Sequence, residues 1–106
     1  MAMPSIEEMN GKYAGKWILV RKPWEDPVRL YKVKEVKDRF ACSFLIEAER
    51  SWRMNEKDGH IWFSSDSHSP ETICFSDLDD GLAKVMDTEE ALEVIRGFRE
   101  TLAKVL

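Results

Sequence analysis

Phe40-Ala41-Cys42-Ser43-Phe44-Leu45-Ile46-Glu47-Ala48 is the stretch from which the rest of the chain can be read. Its even positions are Phe40, Cys42, Phe44, Ile46 and Ala48; its odd positions are Ala41, Ser43, Leu45, Glu47 and, one step on, Glu49. Successive strand side chains point to opposite faces, so this alternation predicts a strand with its even positions inward. After Arg50 the even pattern resumes at Trp52 and Met54, which extends the same predicted face. Asn55-Glu56-Lys57-Asp58-Gly59 follows. Asp-Gly tolerates the positive φ of tight turns, so a hairpin is expected there, with His60 to Ser64 returning as the next strand.

Upstream, Lys16 to Lys22 reads as a strand rich in Trp, Ile, Leu and Val. Pro23 and Pro27 bracket a loop that carries Trp24, and neither proline suits a central strand. Val28 to Lys37 is the next strand. Its apolar positions slip from Val28 and Leu30 to Tyr31 and Val33, then to Val36. A slip of one residue moves side chains to the other face, so a bulge or a strand covered on both faces is expected. Residues 1–11 are a weakly specified lead-in. Within it, Ser5 to Met9 suits one helical turn, with Ser5 as cap, Glu8 as its capping-box partner and Gly11 as the stop.

Downstream, Ser64 to Pro70 reads as a polar loop, Thr72 to Ser76 as a short strand, and Asp77 to Gly81 as a turn. Leu82 to Met86 fits a further short strand or a helical turn. The last segment, Asp87 to Leu106, has the strongest helix signal. Asp87 can cap, Glu90 is its reciprocal partner, and Ala91, Leu92, Ile95, Phe98, Leu102 and Val105 recur at spacings of three and four. Gly97 costs about 1 kcal/mol relative to Ala inside a helix, and close approach to the sheet is one reason such a residue would stand there. The expected fold is therefore α+β: an antiparallel sheet of about five strands with a C-terminal amphipathic helix packed on one face. Residues 1–106 form one domain in this reading, with 12–86 mainly β and 87–106 helical.

Composition narrows the class. With 43% hydrophobic and 10% aromatic residues, the chain can bury a core and is not expected to be disordered. Its longest apolar run, Trp17-Ile18-Leu19-Val20, is far short of the ~20 residues of a membrane helix. The first residues lack a basic region followed by an apolar core, so no signal peptide is read and a cytoplasmic location is expected. Cys42 and Cys74 sit among phenylalanines, as buried free thiols commonly do.

The net charge of −4 is unevenly placed. Residues 12–57 hold 12 Lys+Arg against 7 Asp+Glu, and residues 58–106 hold 4 against 11. Lys32, Lys34, Lys37, Arg39, Arg50 and Arg53 are candidates for a basic face, with Trp24, Tyr31 and Trp52 among them. Aromatics interleaved with cations can stack bases and hold phosphates, which makes single-stranded nucleic acid one candidate ligand. The acidic balance of the whole chain argues against it, because phosphate contacts supply most non-specific affinity.

Catalytic signatures are scarce. His60, Asp66, His68 and Glu71 fall close in sequence and include ligand types for zinc or iron, without helical spacing. The run Asp77-Leu78-Asp79-Asp80-Gly81 fails as a calcium loop, since the required Gly and the final Glu fall on Leu82 and Thr88. No Gly-x-Ser-x-Gly, Walker loop or Gly-x-Gly-x-x-Gly is present.

The expectation is thus a non-enzymatic protein-interaction module without a cofactor. It would be an inhibitor or regulator of a larger complex, of the small kind that bacteria and phages use. Trp24, Lys32, Lys34, Arg50, Trp52 and Arg53 are the candidate partner-binding residues. A single-stranded nucleic-acid binder on the same strands is the alternative, and a small metal-dependent enzyme around His60 and His68 is the second. A homodimer is compatible with each.

Overall fold

The computed structural model describes residues 4–24, 27–55 and 62–104, with only the backbone at 62–65. Five strands form one antiparallel sheet: β1 (Trp17–Val20), β2 (Val28–Arg39), β3 (Ser43–Asn55), β4 (Trp62–Cys74) and β5 (Ala83–Met86). Their order across the sheet is β4-β3-β2-β1-β5. Helix α1 (Ile6–Tyr13) precedes the sheet, α2 (Phe75–Asp79) follows β4, and α3 (Thr88–Ala103) ends the described chain. This is the α+β fold that the alternation and the terminal capping pattern predict.

The continuous Trp-Ile-Leu-Val of β1 now has its reason. The strand lies between β2 and β5, and both of its faces are covered. Ile18 and Val20 join a core with Met9 and Tyr13 of α1 and with Phe75 and Leu78 of α2. Trp17 and Leu19 join a second core with Ala91, Val94, Ile95 and Phe98 of α3. The sheet thus has an α1 face and an α3 face. A strand buried on both sides reads as an unbroken apolar run.

α3 starts where the capping box places it. The Glu90 amide donates to Asp87 Oδ1 at 2.9 Å, and the Asp87 amide donates to Glu90 Oε1 at 3.5 Å. Gly97, however, does not approach the sheet. It is exposed, and nothing lies within 4 Å of where a Cβ would sit. Gly97→Ala should therefore stabilise the protein by about 0.5–1 kcal/mol, by narrowing the unfolded ensemble and restoring helix propensity. Urea unfolding measures it, and a loss of stability would contradict the open space around this position.

Other elements depart from expectation. The turn expected at Ser5–Met9 continues through Gly11 to Tyr13, because Met9 and Tyr13 both find core beneath them. Ser5 still caps it, accepting from the Glu8 amide at 3.1 Å. Beyond the cap at Ala14 the chain turns at Gly15, whose φ of +79° favours glycine. Asn10 reaches β2 beyond the end of β1: its Nδ2 donates to the Val36 carbonyl at 3.1 Å, and its Oδ1 accepts from the Val36 amide at 2.7 Å. A side chain here supplies the pairing that a longer β1 would have made.

Ser64 to Pro70, expected as a loop, is the middle of β4. This serine-rich stretch has little strand propensity of its own, but β3 offers 13 residues to pair with, and pairing overrides propensity. β4 is an edge strand, which is where Pro70 can be tolerated. The strand expected over Thr72–Ser76 divides: Cys74 ends β4 and Phe75 begins α2. Both thiols are free, but neither is in the core. Cys42 is exposed in the β2–β3 turn and Cys74 is half-buried. Phe40, also in that turn, is exposed. Leu82 to Met86 resolves as strand β5 over Ala83–Met86. Asn55, expected in the hairpin loop, ends β3, while the rest of that loop, 56–59, and the strand start at His60 lie outside the described residues.

The largest departure concerns the faces of β3. Phe44, Ile46 and Ala48 lie on the α1 face, but Trp52 and Met54 lie on the α3 face. Val33 pairs Ala48 while Lys32 pairs Arg50, so Glu49 is an extra residue on β3. This bulge turns the even positions from one face to the other. On β2 the expected irregularity is present twice over. Leu30 and Tyr31 are buried on opposite faces, and further register shifts follow Val33 and Val36.

Candidate cleft on the α3 face

The bulge brings together side chains that strict alternation would separate. Glu49 and Arg50 of β3 both line a cleft of about 510 Å³ with Lys32 of β2, Trp17 of β1, Trp52 of β3, and Ser67 and His68 of β4. His68 stands opposite Glu49 and has a φ of +53°. This left-handed conformation is uncommon for a side-chain-bearing residue, and it marks where β4 follows the distortion of β3. Trp17 and Trp52 pack with ring centroids 5.2 Å apart. The Trp17 Nε1–H donates to Thr88 Oγ1 at 3.3 Å, which ties the wall of the cleft to the start of α3.

Three of the six candidate residues, Lys32, Arg50 and Trp52, therefore share one site. The lysines are not free cations. Lys32 pairs with Glu49 at 2.9 Å, Lys34 with Glu47 at 3.7 Å, and Lys37 with Glu35 at 3.0 Å. Lys32 Nζ also lies 5.8 Å from the centre of the Trp17 ring. The hydrogen bond and charge of Lys32 hold the Glu49 carboxyl below its ordinary range, and Lys37 does the same for Glu35. In turn, Glu35 raises the Lys37 ammonium. The expected basic stripe is a ladder of alternating charge along β2 and β3. Arg50 is the cation of the cleft that forms no ion pair among the described residues.

The other candidates lie elsewhere. Arg53 is on the α1 face, where its Nη2 donates to Glu71 Oε1 of β4 at 2.8 Å. Tyr31 lies beside that pair, 1% exposed. Burial pushes its hydroxyl up to about 12; the Arg29 charge opposes this, and the charge and hydrogen bond of Glu71 reinforce it. Trp24 is in the β1–β2 loop, 68% exposed, apart from the cleft. His60 lies outside the described residues. Asp66 and Glu71 sit opposite Ser51 and Ile46 in the register, on the α1 face, while His68 lines the cleft on the α3 face. No three potential ligands converge among the described residues.

Glu49, Ser67 and Trp17 were not singled out by sequence as binding residues, and His68 was singled out only as a metal ligand. The apolar slip on β2 signals a bulge in the sheet, but nothing in the chain signals which β3 residue answers it. A larger groove of about 690 Å³ lies on the α1 face, between α1, α2 and the edge strand β5. Met9, Tyr13, Phe75 and Leu78 form much of its wall, and none of the candidate residues lines it. No helix among the described residues is long and apolar enough to cross a membrane. Comparison of the chain with protein families, with curated proteins and with solved structures finds no match.

Proposed function

We propose that this chain is a non-enzymatic protein-interaction module, an inhibitor or regulator of a larger complex, that grips its partner with the Trp24 loop. The observation that carries this reading is the exposure of Trp24. It is the most exposed large apolar side chain among the described residues, and it makes no ring contact there. Pro23 beside it has a φ fixed by its ring, which limits the freedom lost on docking. Tryptophan so presented supplies a large rigid contact and one donor, the chemistry of an interface anchor. The charge ladder favours a protein over nucleic acid, because phosphates would have to displace carboxylates that already hold Lys32, Lys34 and Lys37. The two free thiols suit a reducing compartment, in keeping with a cytoplasmic location.

Trp24→Ala is expected to weaken partner binding by about 30-fold or more, as removal of an interface anchor does. Its stability should stay within about 0.5 kcal/mol of the parent. The measurement is quantitative co-purification from the source organism or its host, beside urea unfolding of both proteins. Absence of any stable protein partner, or equal recovery by parent and variant, would overturn the proposal. Saturable binding to labelled single-stranded oligonucleotides at low salt would replace it with the nucleic-acid reading.

A further inference from the structure

Arg29 of β2 and Arg53 of β3 are directly opposed in the antiparallel register. Facing positions bring Cβ atoms to about 5 Å, and like charges placed so are destabilising. Both side chains lie on the α1 face, beyond α1 and α2, next to Tyr31. One carboxylate serves the pair: Glu71, 10% exposed, is held by Arg53. The Arg29 side chain has no hydrogen bond and no ion pair among the described residues. The Nε of each arginine is shielded from water and has no partner. Below them the surface is polar and closed, because Ser51 is 1% exposed and accepts a hydrogen bond from Ser69 at 3.2 Å. Asp66, opposite Ser51 on β4, is exposed and forms no ion pair with either arginine.

We propose that Arg29 and Arg53 form a binding site for a carboxylate, with Arg29 as its principal ligand and Glu71 holding Arg53 in place. Three features carry this. Two guanidiniums against one engaged carboxylate leave a single positive charge in excess, which a monoanion balances. Arg29 keeps its planar fork of donors unengaged, and that fork matches a carboxylate with two parallel hydrogen bonds. On the same surface Arg53 already holds a carboxylate, through one hydrogen bond from its Nη2 to Glu71 Oε1. A phosphate, with close to two charges, would meet Glu71 at close quarters and gain less. The ligand is a small organic acid or the Asp or Glu side chain of a polypeptide; the recognising chemistry is the same.

The Nε–H signals of Arg29 and Arg53 in ¹H–¹⁵N spectra of the intact protein report on the site directly. Sodium acetate, an end-blocked acidic peptide, sodium phosphate and sodium chloride are titrated in turn at constant ionic strength. Saturable shifts of the Arg29 signal with acetate or with the peptide are expected. Tighter saturation by the peptide assigns the site to a polypeptide side chain, and the reverse assigns it to a small acid. Arg29→Gln should weaken the apparent affinity at least about tenfold, the scale of a charged hydrogen bond. The parent titration stands even if that variant folds poorly. Shifts no different from those of chloride overturn the site, and tighter saturation by phosphate than by acetate overturns its assignment to carboxylates. Neither readout depends on Trp24, so this site and the interaction module can fail separately.

Discussion

Deleting Glu49 is expected to close the bulge with β2 while the protein still unfolds cooperatively, and Glu49→Ala to change stability by less than about 1 kcal/mol. The two outcomes separate the backbone role of this residue from its side chain. The side chain makes one exposed ion pair, with Lys32 at 2.9 Å, and such pairs contribute between about 0 and 1 kcal/mol. The backbone role is the bulge. Without the extra residue, Ala48 and Arg50 become neighbours opposite Val33 and Lys32, and the ladder with β2 becomes regular there. Strict alternation then keeps Phe44, Ile46 and Ala48 on the α1 face and Trp52 and Met54 on the α3 face, so no core side chain changes sides. On β4, where Ala48 faces Ser69 and Arg50 faces Ser67, His68 is left as the unmatched residue. Circular dichroism and amide spectra of the deletion variant test this. Loss of the cooperative transition or collapse of the spectrum would show that the sheet cannot close the bulge.

The same bulge marks where the sequence could be read and where it could not. Phe44, Ile46 and Ala48 were legible because one face of β3 is buried there and the alternation is strict. Trp52 and Met54 were legible as apolar but not as belonging to the opposite face. An extra residue in a strand with one buried face would have moved the apolar positions from even to odd. Here the buried face changes as well, so the parity is kept and the bulge leaves no trace in the pattern. On β2 the register irregularities and the two covered faces did shift the parity, and the irregularity was foreseeable. β4 was hidden for another reason: Ser64 to Pro70 becomes strand only because β3 is there to pair with it. α2 is five residues long, too short for a helical period to declare itself. Of the candidate site, residue type predicted that Lys32, Arg50 and Trp52 could act together. The pairing of Lys32 with Glu49 and of Lys34 with Glu47 depends on cross-strand register and was out of reach. Arg29 was unremarked for the same reason, since its interest lies in standing opposite Arg53.

Phe44→Ala is the single substitution expected to cost most, about 3–5 kcal/mol. Phe44 is fully buried. Its ring stacks on Tyr13 of α1 with centroids 5.0 Å apart, and it meets Phe75 of α2 at 5.2 Å. On the sheet it pairs with Ile73 of β4. One side chain therefore joins both small helices to β3 and β4. Aromatic contacts of this geometry add about 0.5–1.5 kcal/mol each beyond buried area, and neither helix has other means to stand alone. α1 has eight residues and α2 five, below the ~12–15 at which isolated helices become even marginal. The loss should therefore appear first as exchange of α1 amides with solvent, then as a lower urea midpoint for the whole protein. Trp24→Ala, in the loop, should do neither. If Phe44→Ala cost less than about 1 kcal/mol, the α1 face would not be the packed core described here. The helices would then be held chiefly by Asn10 and the caps, and the exposure of Trp24 would lose its contrast with a well-packed interior.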